Sequence, residues 1–420
     1  MDPDRPLRII LSIWMFKPGT GGLQSHAEQL GRALMQRGHQ VAVVTRAYSF
    51  VPEFRDYLFA NEPVGDVSLD GMRVRPLQLR KEWRPVQWLL SKFVARPILA
   101  PLGVRLYEMQ AKHVAQQAYE DADIIHHIGQ ATALIGFAAE RAARLRRIPF
   151  LVEPTCHPLQ AGDMPLDHRL FRRADRLLVH SQFEANYFRS LGYRVAIDVV
   201  GNGIEDRADG NAERFRQKTG ISGHIILYIG RKDSDKGYPL VIEAFERLRS
   251  RMPDVNLVCI GPAGAENMAG TQIGFFGLGF VSEQMKHDAL AACTCLCVPS
   301  VGESFGLVYM EAGRYAKPVV ARRLPVLEEL LENGSAGLLV GTPDTKKNAV
   351  DVTPEELAAS LYQLVNSPEE CARLGQNCRR VSDKFVWPEA VKRFEAAYHE
   401  ALCNGAGPFS ISRRSRTDSS

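Results

Sequence analysis

Short apolar runs alternate along the chain with longer stretches of helical periodicity. Residues 7–14 (Leu-Arg-Ile-Ile-Leu-Ser-Ile-Trp) form a mostly apolar run without two-residue alternation. That pattern predicts a strand buried on both faces of a parallel sheet. Leu23, Ala27, Leu30 and Leu34 then recur at helical spacing up to Arg37-Gly38, where Gly38 suits the residue just past a helix end. Val41 to Thr45 reads as the next strand. Further strands are expected at Asp123 to Gly129, Phe150 to Glu153, Ala174 to Ser181 and Ile197 to Val200. A turn-rich break, Gly201-Asn202-Gly203-Ile204-Glu205, follows. The same strand–loop–helix–strand logic then restarts at His224 to Ile229, with Leu240, Ala244, Phe245 and Leu248 on one helix face and Asn256 to Ile260 behind them. Cys295 to Val298 and Pro318 to Ala321 add strands. The fold class expected is therefore α/β, with two doubly wound, Rossmann-like domains.

The boundaries expected are 1–200 for the first domain, with an atypical insertion at 80–112, and 201–385 for the second. A last helix at 386–403 is expected to pack back on the first domain. Two helix starts are signalled by Thr353-Pro354-Glu355-Glu356 and Ser367-Pro368-Glu369-Glu370, each with an N-cap, Pro at the first helical position and Glu two positions later. The tail 404–420 is rich in Gly, Ser and Arg and is read as disordered.

Composition narrows this little. A length of 420 residues is comfortable for two domains, and a net charge of +4 points neither toward nor away from nucleic acid. No uncharged apolar run is long enough to span a bilayer, and the N-terminus lacks the apolar core of a signal peptide, so a cytoplasmic location is expected. The 8 cysteines are then read as reduced thiols. Cys293, Cys295 and Cys297 could form a thiolate site by alternation, but a buried strand is the better account.

The insertion changes the picture more. Trp83, Trp88, Phe93, Ile98, Leu102 and Tyr107 interleave with Arg84, Lys92, Arg96, Arg105 and Lys112. Such a segment can lie at a membrane surface or line an acceptor pocket, although packing on its own domain is the commoner outcome.

Candidate chemistry gathers at the expected strand ends. Lys17-Pro18-Gly19-Thr20-Gly21-Gly22 follows the first strand, where open α/β sheets place ligands. Glycines there allow close backbone approach to a phosphate or a sugar, or simply a tight turn. The dinucleotide fingerprint fails, because Gln24 occupies the place of its third glycine. His126 and His127 end one strand and His157 follows another; no second ligand recurs at metal spacing. Arg231 and Lys236 follow the first strand of the second half, suited to a diphosphate by a forked guanidinium and a mobile ammonium.

Glu303 lies in a loop and Glu311 in the helix behind it. Their separation leaves roughly 80° of rotation between the two on a helix. Both could address one ligand over the helix N-terminus, where unpaired N–H groups favour an anion. An acidic first turn that merely stabilises the helix accounts for the spacing equally well.

Taken together, these features resemble family 4 of the glycosyltransferases, group 1, retaining enzymes of the GT-B fold. The resemblance rests on Gly21-Gly22 with Arg37-Gly38-His39-Gln40-Val41, on Asn202-Gly203-Ile204, on Gly230-Arg231 with Lys236-Gly237, and on Glu303-Ser-Phe-Gly-Leu-Val-Tyr-Met-Glu311-Ala. It extends to about residue 402. It implies two domains facing each other across a cleft, a UDP- or GDP-sugar donor bound by the second, and a hydroxyl acceptor held by the first. The acceptor could be a carbohydrate, a lipid-linked precursor or a small molecule; no nucleic acid, no cofactor and no metal is implied.

Carried over by position, Arg231 and Lys236 would neutralise the diphosphate, Glu303 would contact sugar hydroxyls and Glu311 the nucleotide ribose. The backbone of Ser304, Phe305, Gly306 and Leu307 would approach the phosphates. Gly21 and Gly22 would lie over the diphosphate or acceptor, and Glu329 would match a further acidic position, although Glu328 adjoins it. The family commonly carries His-x-His where this chain reads His126-His127-Ile128, so the sugar-contacting histidine is His127 by preference, with His126 and His157 as alternatives. A non-catalytic sugar-nucleotide-binding subunit and a nucleotide-sugar epimerase of the same fold are the alternative functions.

Overall fold

The computed structural model describes residues 5–17, 21–47, 66–77, 93, 96, 98–131, 134–156, 162–262, 273–344 and 349–404. The tail assigned to disorder, the tryptophans of the insertion, Gly19, Thr20 and His157 therefore lie outside the described residues. The chain forms two compact units: unit 1 is Met1–Gly203 with Trp387–Ser420, and unit 2 is Ile204–Val386.

Unit 1 is built on an eight-stranded sheet. In chain order its strands are β1 (Arg8–Met15), β2 (Gln40–Ala47), β3 (Val67–Leu69), β4 (Met72–Pro76), β5 (Ile124–Ile128), β6 (Phe150–Glu153), β7 (Arg176–Val179) and β8 (Ala196–Val199). Their spatial order is β3-β4-β2-β1-β5-β6-β7-β8, parallel except for the β3–β4 pair. The uninterrupted apolar runs arise because both faces are covered. One layer contains α1 (Gly22–Gln36) and the last helix, Trp387–Asn404, packed over Ile9, Leu11, Ile13, Ile124 and Ile128. The other contains the helices Ala100–Ala118 and Ile135–Arg146 over Ile10, Ile125 and Val152. Strand alternation sends His126 to the first layer, beside Phe394 and Tyr398, and His127 to the second, against Gly136.

Unit 2 repeats the plan with six parallel strands, starting with β9 (His224–Ile229), β10 (Val255–Ile260), β11 (Phe275–Gly279) and β12 (Cys295–Val298). With β13 (Val319–Arg322) and β14 (Gly337–Val340) the order is β11-β10-β9-β12-β13-β14. Cys293 sits before β12 rather than in it, and Cys295 and Cys297 are buried free thiols, packed as small apolar residues. Helix Pro354–Asn366 starts in a capping box made by Thr353 and Glu356, as its sequence requires. No helix among the described residues is long and apolar enough to cross a membrane.

Candidate donor site and its relatives

In each unit the strand order reverses at one place, and an open α/β sheet binds ligands beyond the carboxyl ends of the strands there. In unit 2 that place lies between β9 and β12, which are direct neighbours. The loops leaving these two strands are packed on each other. The Val301 N–H donates to the Asp235 carbonyl at 2.8 Å. A Cβ at Gly237 would come within 2.5 Å of the Pro299 carbonyl oxygen, so only glycine lets the two loops meet this closely. Gly237, at φ +70°, also ends the 3₁₀ turn Ser234–Lys236 that presents Lys236.

Lys236 projects from the first loop and Glu303 from the second, and the ammonium donates to Glu303 Oε1 at 2.7 Å. Arg231 stands beside them on the first loop, more than half exposed, held by Asp233 at 2.6 Å and Asp235 at 3.5 Å. The hydrogen bond to Asp233 raises the guanidinium pKa further, fixing its charge.

Behind this pair, a helix spans Leu307–Arg314, with Gly306 as its N-cap at φ +92°. Glu311 is its fifth residue. The start of the helix has a physical cause: Phe305 is buried edge-on against Phe385, ring centroids 5.0 Å apart, and Gly306 makes the left-handed turn into the helix. Phe305 can therefore offer only its backbone to a ligand. Tyr309 locks the helix by donating from its hydroxyl to the Val298 carbonyl at 2.7 Å.

Glu311 accepts from Lys286 Nζ at 3.2 Å, and Lys286 also contacts Glu283 at 2.8 Å. Burial raises the Glu311 carboxyl pKa, and Lys286 pulls the other way without cancelling it. Burial opposes the charge on Lys286, but its two glutamates outweigh that and raise it overall. Glu329 lies on the helix Pro325–Leu330, exposed, with Glu328 beside it on Arg323.

In unit 1 the reversal lies between β1 and β5. Gly21 and Gly22 are exposed at the start of α1, directly after the loop that leaves β1. Both histidines of β5 are fully enclosed. His127 has only long contacts, 3.4 Å to Ser12 Oγ and 3.4 Å to the Gln130 carbonyl, and burial pushes its pKa down to about 4. His126 faces Glu153 and Tyr398. Asn202 is also buried, its side-chain oxygen 2.6 Å from His26 Nδ1.

Two family profiles match the chain: "Glycosyl transferase 4-like domain" over residues 21–203 and "Glycosyl transferases group 1" over residues 211–381. Together they cover the whole sheet of unit 2 and all of the unit 1 sheet except β1. The chain belongs to the group 1, family 4 glycosyltransferases.

Among relatives of this glycosyltransferase is the D-inositol 3-phosphate glycosyltransferase of Corynebacterium glutamicum (strain R), 28% identical over 57% of this chain and 60% of that protein. The chain thus spans under two thirds of that relative's length. The enzyme of the same name from Rhodococcus erythropolis is 28% identical over 99% of this chain and 96% of its own. Among solved structures, Anabaena HepE in complex with UDP and glucose matches with TM-score 0.66 at 18% identity, over 94% of this chain and 100% of that one. That likeness establishes the two Rossmann-like domains of the GT-B fold.

Of the residues expected to act together, the structure joins Lys236, Glu303 and Arg231 at one strand switch point, with Ser304, Gly306, Leu307 and Glu311 behind them. Neither His126 nor His127 exposes its ring. Lys286 is the residue that sequence reasoning missed. It lies on the helix Glu283–Ala292, remote in sequence from every glycosyltransferase motif, and only its heptad-independent meeting with Glu311 reveals it.

Proposed function

We propose that this glycosyltransferase moves a hexose-type sugar from a UDP- or GDP-sugar to a hydroxyl acceptor, with retention at the anomeric carbon and without a metal ion in the transfer. The observation that carries this reading is the Lys236–Glu303 contact at the β9–β12 switch point, with the N-terminus of the helix Leu307–Arg314 and Arg231 beside it. Arg231 and Lys236 stabilise the charge that develops on the departing diphosphate, which is where electrostatic catalysis has most effect. The backbone of Ser304 to Leu307 offers N–H groups to the phosphates. Glu303 holds sugar hydroxyls and Glu311 the ribose. On this reading no side chain acts as a nucleophile toward the sugar, and the departing diphosphate and the acceptor carry the chemistry between them.

Unit 1 supplies the acceptor side, with Gly21 and Gly22 on its loop. The relatives named for D-inositol 3-phosphate support a polar, hydroxylated acceptor, and the HepE complex with UDP and glucose supports a uridine donor. A peripheral contact with the cytoplasmic face of a membrane belongs to the same reading. It is supported by an apolar and basic stripe on the helix Ala100–Ala118.

A panel of nucleoside diphosphates in a thermal-shift assay tests the donor assignment. UDP or GDP is expected to raise Tm, since a ligand of the native state alone stabilises it. A flat response to both would overturn it. The enclosure of His126 and His127 favours a second reading, a sugar-nucleotide-binding subunit without turnover. Nucleotide binding with no hydrolysis or transfer across a broad acceptor panel would select that reading.

A further inference from the structure

The interior of unit 1 holds a polar cluster that the transfer reaction does not use. Glu153 ends β6 and is completely enclosed. Three imidazoles converge on its carboxylate: His180 Nε2 at 2.6 Å and His26 Nε2 at 2.8 Å from Oε1, and His126 Nε2 at 3.3 Å from Oε2. Each comes from a different element: β5, α1, or the residue that follows β7. Four ionisable side chains buried together need either complete hydrogen bonding or another charge among them.

Hydrogen bonding alone falls short. His26 Nε2, His126 Nε2 and Glu153 Oε2 are buried, and none makes an aligned hydrogen bond. The far nitrogens of two of the rings are already engaged. His26 Nδ1 lies 2.6 Å from Asn202 Oδ1, and His126 Nδ1 lies 2.9 Å from the Tyr398 hydroxyl. Because Asn202 Oδ1 can only accept, His26 donates from Nδ1 and turns the lone pair of its Nε2 inward, which is how metal-ligating histidines are oriented. That lone pair lies 2.8 Å from the Glu153 carboxylate and repels it unless a cation lies between them.

We propose that this cluster binds a divalent transition metal of the zinc type, with His26 Nε2, His180 Nε2 and the Glu153 carboxylate as ligands. The ligand atoms of His26, Glu153 and His180 all lie within 4.8 Å of one another. A tetrahedral ion with bonds of about 2.0–2.1 Å spaces its ligands by about 3.3 Å, so the two shortest contacts, 2.6 and 2.8 Å, need open by only about 0.5–0.7 Å. Two imidazoles and one carboxylate are a donor set that suits zinc.

The ion is structural: it ties α1, β6 and the start of the helix after β7 together. Through Asn202 it also reaches the end of the first stretch of unit 1. This goes beyond the transfer reaction and leaves its metal independence untouched.

The test uses the full chain without an affinity tag, purified with and without zinc in the medium. Elemental analysis is expected to find about one equivalent of metal per chain. Cobalt loading should give the visible d–d bands of a tetrahedral site. Dipicolinate should lower Tm, and added zinc should restore it. His180→Ala and Glu153→Gln should lose the metal and the cobalt spectrum, whereas His224→Gln, in unit 2, should keep both. If either cluster variant fails to fold, the stoichiometry and cobalt spectrum of the unaltered chain decide. Less than a tenth of an equivalent after zinc loading, with Tm indifferent to zinc and chelator, would overturn the proposal and leave a proton-linked network. So would a cobalt spectrum that survives Glu153→Gln.

Discussion

Lys236 Nζ lies 2.7 Å from Glu303 Oε1, joining loops 67 positions apart in the chain. Both groups are largely shielded from solvent, at 26% and 9% side-chain exposure, so each holds the other in a defined place. On the proposed donor assignment, Lys236→Ala removes a cation from the leaving group, and Glu303→Gln removes a charged acceptor for sugar hydroxyls and releases the ammonium. Each substitution should lower kcat by about 10²–10³-fold, with circular dichroism unchanged. The double variant should lose less than the product of the two, because both act through one contact. Full turnover in both single variants would sink the donor-site assignment.

Glu311 and Lys286 form a second pair, and its effect is on pH dependence. The half-buried Glu311 carboxyl sits above its ordinary value, burial raising it and Lys286 limiting the rise. In Lys286→Met that restraint is gone, so Glu311 stays protonated to a higher pH and, on the proposed donor assignment, accepts the ribose hydroxyls less well. Nucleotide affinity should fall about tenfold on the acid side of the shifted pKa and recover as pH is raised through it. Isothermal titration with UDP or GDP at several pH values measures this. A pH-independent loss would point instead to simple disruption of the helix Glu283–Ala292.

Much of this was legible in the chain because local chemistry sets it. The apolar runs specify strands buried on both faces, Thr353 to Glu356 specify a helix start, and the glycines mark where loops close on one another. Glu303 and Lys236 could be named from their strand ends alone. Their contact could not, since it depends on β9 and β12 being neighbours in the sheet, a long-range fact. Lys286 stayed hidden for the same reason.

The histidines were legible in kind but not in place. A pair at one strand end must point to opposite faces, and both of these faces prove to be covered by helices. Glu153 carries a signal in the sequence: a carboxylate closing an otherwise apolar four-residue strand is a buried charge in need of partners. Those partners come from α1 and from the residue after β7, which no spacing rule connects.

Acid stability should fall in two stages, set by adjacent residues of unit 2. Burial, with Lys286 and Arg207 nearby, pushes His287 down to about 4 from an ordinary 6.5. The unfolded chain then takes up that proton first, so stability is lost as pH falls from about 6.5 toward 4, by on the order of 3 kcal/mol. Asp288 behaves oppositely in charge but not in direction. Its hydrogen bond from Arg214, helped by the Asn211 N–H and Gln284, holds it at about 2 rather than 3.8. Its contribution is complete above about 3.8 and is lost as pH falls toward 2, by about 1 kcal/mol once screening of the half-exposed Arg214 is allowed for. His287→Gln should flatten the first stage of a Tm–pH profile and Asp288→Asn the second. Unchanged profiles in both would refute this assignment.

The helix Ala100–Ala118 carries a stripe that favours an anionic membrane surface. Leu102 is 49% exposed and Met109 68%, and Ile98, just before the helix, is 91% exposed. Arg105 and Lys112, exposed between and beyond them, fall on the same face at helical spacing. Apolar side chains flanked by basic ones match the headgroup boundary, where each Lys or Arg contributes about 1 kcal/mol against anionic lipid. Vesicles containing phosphatidylglycerol should therefore co-sediment the protein at low salt, and about 0.5 M salt should release it as the charges are screened. Arg105→Glu with Lys112→Glu should abolish binding. Leu102→Ser with Met109→Ser should weaken it without changing its salt dependence, because only the apolar part is removed. Trp83→Ala with Trp88→Ala extends the test to the first part of the same insertion. Binding to neutral and anionic vesicles alike, or to neither, would rule out the membrane contact as described.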